Sequence, residues 1–327
     1  MKNFVSKSLL VSLLTLLLVP ACSRRTEKAA SVPELRSFPA LEIPAMISDP
    51  AMKLEYMSEH WWDGFLSGSG RTDSAYVLGV RQEEVEQNLS AWCSILHLQA
   101  VPQAQKYVAK LFSDIQKSCL RDSASCRANY EILTSLVDKY LYDPNSPLRS
   151  EDLYLPFVKG LVESELTSPE KKRAYRFQLE KCSLNPYGSQ VPDFEITDIR
   201  GRRHRLSEVK AGHIMLFFSN PGCQSCKEII DLLGTRAYID PMIACGDLAV
   251  VNVYIDEDLE LWRSYEAEYP RNWLNGYDAK GVINEGELYY VRAIPSLYLL
   301  DGERRVIMKD APVERVLDYM DNLVSNQ

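Results

Sequence analysis

Cys223, Gln224, Ser225 and Cys226 place two thiols three residues apart, directly after an apolar run at 214–218 and the short break Ser219-Asn220-Pro221-Gly222. Residues 227–233 then have helical character. A strand, a tight turn and a cysteine pair opening a helix is the context in which CxxC reads as redox chemistry. The unpaired N–H groups and positive dipole end of a helix N-terminus stabilise a thiolate, and Cys223, the first cysteine, is the more exposed one. Cys226, one turn later on the same face, is placed to attack a mixed disulfide formed at Cys223. Rival chemistries fail on spacing. A zinc site would need two further ligands, and the chain has neither a second CxxC nor an HxxxH; His213 and Cys245 stand alone. There is no glycine-rich phosphate loop, no GxSxG and no Asp-rich calcium loop. No metal or cofactor is expected.

The elements that must position this pair follow from periodicity. Residues 194–197 and 202–206, around Arg200-Gly201, read as a hairpin. The strand at 214–218, the CxxC helix and a strand at 248–255 come next, then a helix at 257–268 and a short one near 284–291. Residues 296–300 and 305–308 flank Asp301-Gly302, a second hairpin signal, and an amphipathic helix closes the chain at 312–324. Before Asn185-Pro186-Tyr187-Gly188 the pattern is helical. Val85, Leu89, Trp92 and Leu96 recur at spacings of three and four, as do Tyr107, Leu111 and Ile115, and Tyr130, Leu133, Leu136 and Tyr140. Ser168-Pro169-Glu170 is an N-cap with proline at the first helical position. The expected fold class is α/β at the C-terminus, residues 188–327, preceded by a separate all-α domain at 45–187.

The N-terminus reads as a targeting segment: Lys2 and Lys7 precede an apolar stretch at 9–19 that is short for a membrane span. It ends Leu18-Val19-Pro20-Ala21-Cys22, which resembles a bacterial lipobox. That resemblance implies removal of residues 1–21, acylation of Cys22 and a periplasm-facing protein of the cell envelope held by a lipid anchor; an ordinary signal peptide cut after Ala21 is the alternative. Residues 22–44 carry Pro33, Pro39 and Pro44 and read as a flexible tether. The formal net charge of −8, with no basic stripe, argues against nucleic-acid partners. An extracytoplasmic compartment permits disulfides. Of the eight cysteines, Cys119 and Cys126 flank a turn-like stretch and are one possible structural disulfide. In one continuous helix they would stand roughly 10 Å apart, too far to bridge. Cys93, Cys182 and Cys245 read as small buried hydrophobes.

With motif and element order in hand, residues 192–327 resemble the thioredoxin superfamily, in particular its TlpA-like extracytoplasmic branch, which carries an N-terminal hairpin like 193–206. Arg292-Ala293-Ile294-Pro295-Ser296-Leu297 resembles the family segment whose proline is cis. The resemblance implies that Pro295 and the Ile294 backbone shape a groove for protein thiol or disulfide substrates, and that a membrane redox partner supplies electrons. Two positions depart from the family: Gly222 stands where Trp is common, and Phe217 where cytoplasmic thioredoxins have a buried Asp. Peroxidase-type members carry Thr or Ser three residues before the reactive cysteine; here that residue is Asn220. The run Tyr56 to Phe65, with Tyr140 to Pro147 and Gln178-Leu179-Glu180, is similar to a helical domain of unknown function found before thioredoxin-like domains in bacterial lipoproteins. His60, Trp61 and Trp62 within it are either a binding patch or core. The expectation is a thiol–disulfide oxidoreductase acting as a reductant. The alternative is a binding or scaffolding lipoprotein in which Cys223 and Cys226 form an inert structural disulfide.

Overall fold

A computed structural model describes residues 35–121, 125–283 and 288–325. Cys22, the targeting segment and the first part of the expected tether lie outside the described residues. The described residues form one compact unit.

The N-terminal half is helical. It comprises α1 (Pro50–His60), α2 (Asp63–Leu66), a small antiparallel hairpin of β1 (Tyr76–Val77) and β2 (Val80–Arg81), and then α3 (Gln82–Leu96), α4 (Val101–Arg121), α5 (Cys126–Leu141), α6 (Glu151–Glu163) and α7 (Pro169–Cys182). The hairpin departs from the all-α expectation; Leu78 and Gly79 make its turn at positive φ, and Val77, Leu78 and Val80 are buried. Caps follow the sequence signals. Asp49 caps α1 before Pro50, and Ser168 caps α7 before Pro169. Pro156 lies inside α6, where it leaves the Asp152 carbonyl without an intrahelical donor; the Gln105 side-chain amide donates to that carbonyl at 2.8 Å instead. The helices close on Phe65, Trp92, Phe157 and Leu161, each at most 1% exposed. Each such side chain contributes about 1.5–3 kcal/mol by leaving water.

Trp62 and Phe65 belong to this core, whereas His60 pairs at the surface with Asp63 (2.7 Å). The core reading of that aromatic stretch therefore holds. Residues 35–44 are a correction to the tether. They are irregular but packed: Arg36 donates to the carbonyls of Leu78 and Phe65 (2.8 and 2.7 Å), and the Phe38 ring stacks on Phe65. Cys119 and Cys126 are a second correction, for they are not bridged. Cys119 is buried near the end of α4, and its thiol donates to the Cys126 carbonyl (3.3 Å) as α5 begins. Cys93 and Cys182 are buried as expected, but Cys245 is exposed, because it ends a short helix at the surface.

The C-terminal half runs β3 (Glu195–Thr197), β4 (Arg203–Arg205), β5 (His213–Phe218), α8 (Gln224–Gly234), α9 (Ile239–Cys245), β6 (Leu248–Tyr254), α10 (Leu259–Tyr265), β7 (Leu274–Tyr277), β8 (Ser296–Asp301), β9 (Val306–Met308) and α11 (Val313–Ser325). The sheet order is β4-β3-β7-β6-β5-β8-β9, with β5, β6 and β7 parallel and β8 antiparallel to β5. β5 is apolar from Ile214 to Phe218 because both its faces are covered there. Met215 and Phe217 face α8, α9 and α11, while Ile214, Leu216 and Phe218 face Phe194, Ile283 and Tyr289. Residues 284–287, within the expected short helix near 284–291, lie outside the described residues; 288–291 are not helical.

The two halves have separate apolar cores and meet through buried charge. Glu151, in the first turn of α6, is 1% exposed and lies 3.1 Å from Arg292 and 3.3 Å from Lys309. Lys309 also donates to the carbonyls of Cys182 and Leu184 (2.6 and 2.7 Å). Arg292 donates to the Tyr142 carbonyl, lies over the Tyr142 ring and pairs with Asp310 (2.7 Å). Arg149 donates to the Asp310 carbonyl at 2.9 Å. Desolvation makes such a network a weak source of net stability, but breaking one member costs about 3–5 kcal/mol, so it fixes the relative placement of the halves.

Burial pushes the Glu151 carboxyl up from 4.5 to about 7, even with Lys309 and Arg292 opposing the shift. Between those two values the folded chain holds a proton that the unfolded chain has released. The resulting stabilisation is fully present below pH 4.5 and is lost as pH rises through about 7. Glu151→Gln is neutral at every pH and should flatten that decline by on the order of 1–3 kcal/mol. Urea denaturation of wild type and variant between pH 4.5 and 7 checks this; parallel stability curves would contradict it.

Candidate active site

Cys223 occupies the N-cap of α8, and its sulfur accepts the Cys226 N–H at 3.1 Å. The two cysteines are joined as a disulfide, with Cα atoms 5.2 Å apart. Cys226 is 2% exposed; Cys223 is only partly covered, so an incoming group reaches the first sulfur and not the second. The turn before them is closed by the Cys223 N–H donating to the Asn220 carbonyl (3.3 Å). Gly222 in that turn has φ +71°. A side chain at that position would sit in a left-handed backbone, a conformation that favours glycine.

The sheet delivers the second half of the site. β8 pairs with β5 so that Ser296 lies opposite Phe218, which brings the preceding Ile294–Pro295 peptide to the cysteine turn. That peptide is cis. Ile294 packs in the same apolar cluster as Cys223, Cys226 and Ile229. One carboxylate holds both flanks of the cis segment: Asp310 takes Arg292 on one oxygen and the Ser296 hydroxyl (3.1 Å) on the other. Neither Arg292 nor Asp310 was assigned a role from sequence; the only available signal was the odd presence of charge beside an apolar Ile-Pro.

The position of the missing acid is apolar. Phe217 is fully buried, edge-on to Trp273, in the cluster that contains Cys226. The polar groups on neighbouring strands are uncharged: Ser219 donates to Asn252, and the Asn252 amide donates to Asn275 (3.1 Å). Glu228 is exposed and accepts from Gln224 (3.0 Å), and Lys227 is tied to Asp231 (2.9 Å). The helix N-terminus is therefore the main feature favouring a thiolate at Cys223.

A groove of about 340 Å³ lies beside the cis segment. Neither cysteine lines it, but Ile229 and Ile294 of its lining share an apolar cluster with Cys223. α8 lines it with Ser225, Glu228 and Ile229, and the cis segment with Ala293, Ile294 and Pro295. Its opposite wall comes from the helical half: Pro144, Asn145, Pro147 and Arg149. In the sequence this stretch reads only as a break between helices.

The left-handed turn yields a direct check. Gly222→Ala should lower the denaturation free energy by about 1–2 kcal/mol. An unchanged or raised urea midpoint would mean that the turn does not need that backbone.

Residues 21–185 match the family described as a domain of unknown function, DUF5106. The crystal structure of a thioredoxin-like protein from Bacteroides caccae is 32% identical, with TM-score 0.73 over 88% of this chain and 98% of that one. The C-terminal domain of an uncharacterized protein from Bacteroides fragilis is 36% identical (TM-score 0.41, 42% of this chain, 99% of that one). The thioredoxin domain of a thiol-disulfide oxidoreductase from Bacteroides vulgatus is 21% identical (TM-score 0.37, 42% and 97%). No curated protein matches. The family model spans half of the chain and the Bacteroides caccae structure 88% of it, and the chain belongs to the DUF5106 family, continuing into a thioredoxin-like domain.

Proposed function

We propose that the protein is a thiol–disulfide oxidoreductase that reduces protein disulfides outside the cytoplasm. The observation that carries the reading is the Cys223–Cys226 disulfide at the N-terminus of α8, one sulfur partly open, beside the cis Ile294–Pro295 peptide. In the reduced protein the Cys223 thiolate attacks one sulfur of a substrate disulfide. A Cys223–substrate bond forms and the first substrate thiolate leaves. Cys226, deprotonated, then attacks the Cys223 sulfur, the protein disulfide closes and the second substrate thiolate departs. Two electrons pass to the substrate, and the protons lost by the two cysteines balance those gained by the two substrate thiolates. A membrane-borne dithiol donor restores the reduced pair. The TlpA-like resemblance supports the reductant direction, and the lipobox-like residues ending at Cys22 support a lipid anchor and a periplasm-facing location.

Full-length protein should catalyse insulin-disulfide reduction by dithiothreitol. Cys223→Ser should bring the rate down to that of dithiothreitol alone, whereas Cys226→Ser should accumulate mixed disulfides visible on non-reducing gels. A wild-type protein no faster than dithiothreitol would defeat the reading and favour an inert disulfide. In a host that processes lipoproteins, Cys22→Ala should abolish incorporation of labelled fatty acid.

A further inference from the structure

The groove beside the cis segment is a joint product of the two halves, and the wall from the helical half is preformed. Pro144 and Pro147 restrict its backbone. The Asn145 N–H and side-chain amide both donate to the Asp143 carboxylate (2.8 and 3.1 Å), and the Ser146 hydroxyl, itself buried, donates to the Tyr140 carbonyl (2.6 Å). Arg149, at the end of the loop, is anchored on Asp310, the residue that holds the cis segment. The wall and the cis-proline therefore share one support, and a groove of set width lies between them. Among the described residues, none hydrogen-bonds to the backbone of Ala293 or Ile294 on the facing wall. The charges that line the space are unequal. Glu228 and Glu314 are exposed, whereas the Arg149 side chain is 15% exposed and already paired. Lys227, the nearest lysine in sequence, is engaged with Asp231 and does not line the groove.

We propose that the helical half is part of the substrate site, and that the groove takes an extended polypeptide segment bearing its cysteine next to basic residues. The segment lies between the 144–147 wall and the cis segment, presents its sulfur to Cys223, and sets its lysine or arginine side chains against Glu228 and Glu314. A volume of about 340 Å³ holds a few residues of chain and no folded domain. This inference rests on the oxidoreductase reading.

Its test uses full-length reduced protein and two synthetic peptides, each with one cysteine capped as a mixed disulfide with thionitrobenzoate. One peptide has lysines flanking the cysteine, the other glutamates. Attack by Cys223 on the peptide sulfur expels yellow thionitrobenzoate, and Cys226 then releases the peptide thiol. A small uncharged disulfide, 2-hydroxyethyl disulfide, serves as reference. Wild type should favour the lysine peptide by about five- to tenfold in second-order rate constant, and the preference should shrink as salt is raised. Glu228→Lys with Glu314→Lys should reverse it. Asn145→Trp should lower the ratio of peptide rate to 2-hydroxyethyl disulfide rate, for either peptide. Equal wild-type rates with the two peptides, alongside normal reduction of 2-hydroxyethyl disulfide, would overturn this proposal and leave the oxidoreductase reading standing. No reaction with 2-hydroxyethyl disulfide would overturn both. The wild-type comparison and its salt dependence decide the charge preference even if a variant misfolds, and an unmoved ratio in folded Asn145→Trp would overturn the part given to the helical half.

Discussion

One guanidinium organises the contact between chemistry and scaffold. Arg292 lies two residues before the cis Ile294–Pro295 peptide, and it reaches Glu151 and the Tyr142 carbonyl in the helical half and Asp310 in the sheet half. Asp310 in turn takes Ser296 and Arg149. A buried cation of this kind is costly unless every neighbour is in place, so the segment it anchors has little freedom. The geometry of the cis-proline is thus tied to the seating of the helical half. This gives a physical reason for the two halves to occur on one chain.

The CxxC itself is supported from a different direction. Pairing of β5 with β8 aligns the cysteine turn with the cis-proline, and the N-terminus of α8 supplies the favourable field. Nothing acidic assists Cys226: Phe217 and Trp273 make its surroundings apolar, and the nearby network of Ser219, Asn252 and Asn275 is uncharged. The arrangement therefore separates the roles of the two sulfurs, one approachable and dipole-stabilised, the other enclosed and acting only on its neighbour.

Much of this was readable from local pattern. The CxxC context, the Ile-Pro segment, both hairpins and the capped α7 depend on residues close in sequence, where periodicity and turn chemistry act directly. β7 escaped notice because Leu274-Asn275-Gly276-Tyr277 is short and contains Gly and Asn, residues that disfavour strands unless neighbours impose one. α9 is a seven-residue helix with a proline and was likewise silent. The packing of Phe38 on Phe65 was hidden because prolines and polar residues around it suggested a tether. The joint between the halves was invisible for a deeper reason. Glu151, Arg292, Lys309 and Asp310 are ordinary surface residues by type, and only long-range folding buries them together. The 144–147 loop, a plain helix break in sequence, becomes a groove wall only through that joint.

The central claim is that the Cys223–Cys226 pair exchanges. Equilibration of the native protein with graded glutathione buffers, quenched by thiol alkylation and read by mass, tests it most directly. The account predicts reversible interconversion of the two states, with a midpoint between the thioredoxin value of about −270 mV and the glutaredoxin values of about −200 mV. A pair that stays oxidised in the native protein at every ratio, and opens only when the chain is unfolded, would contradict it.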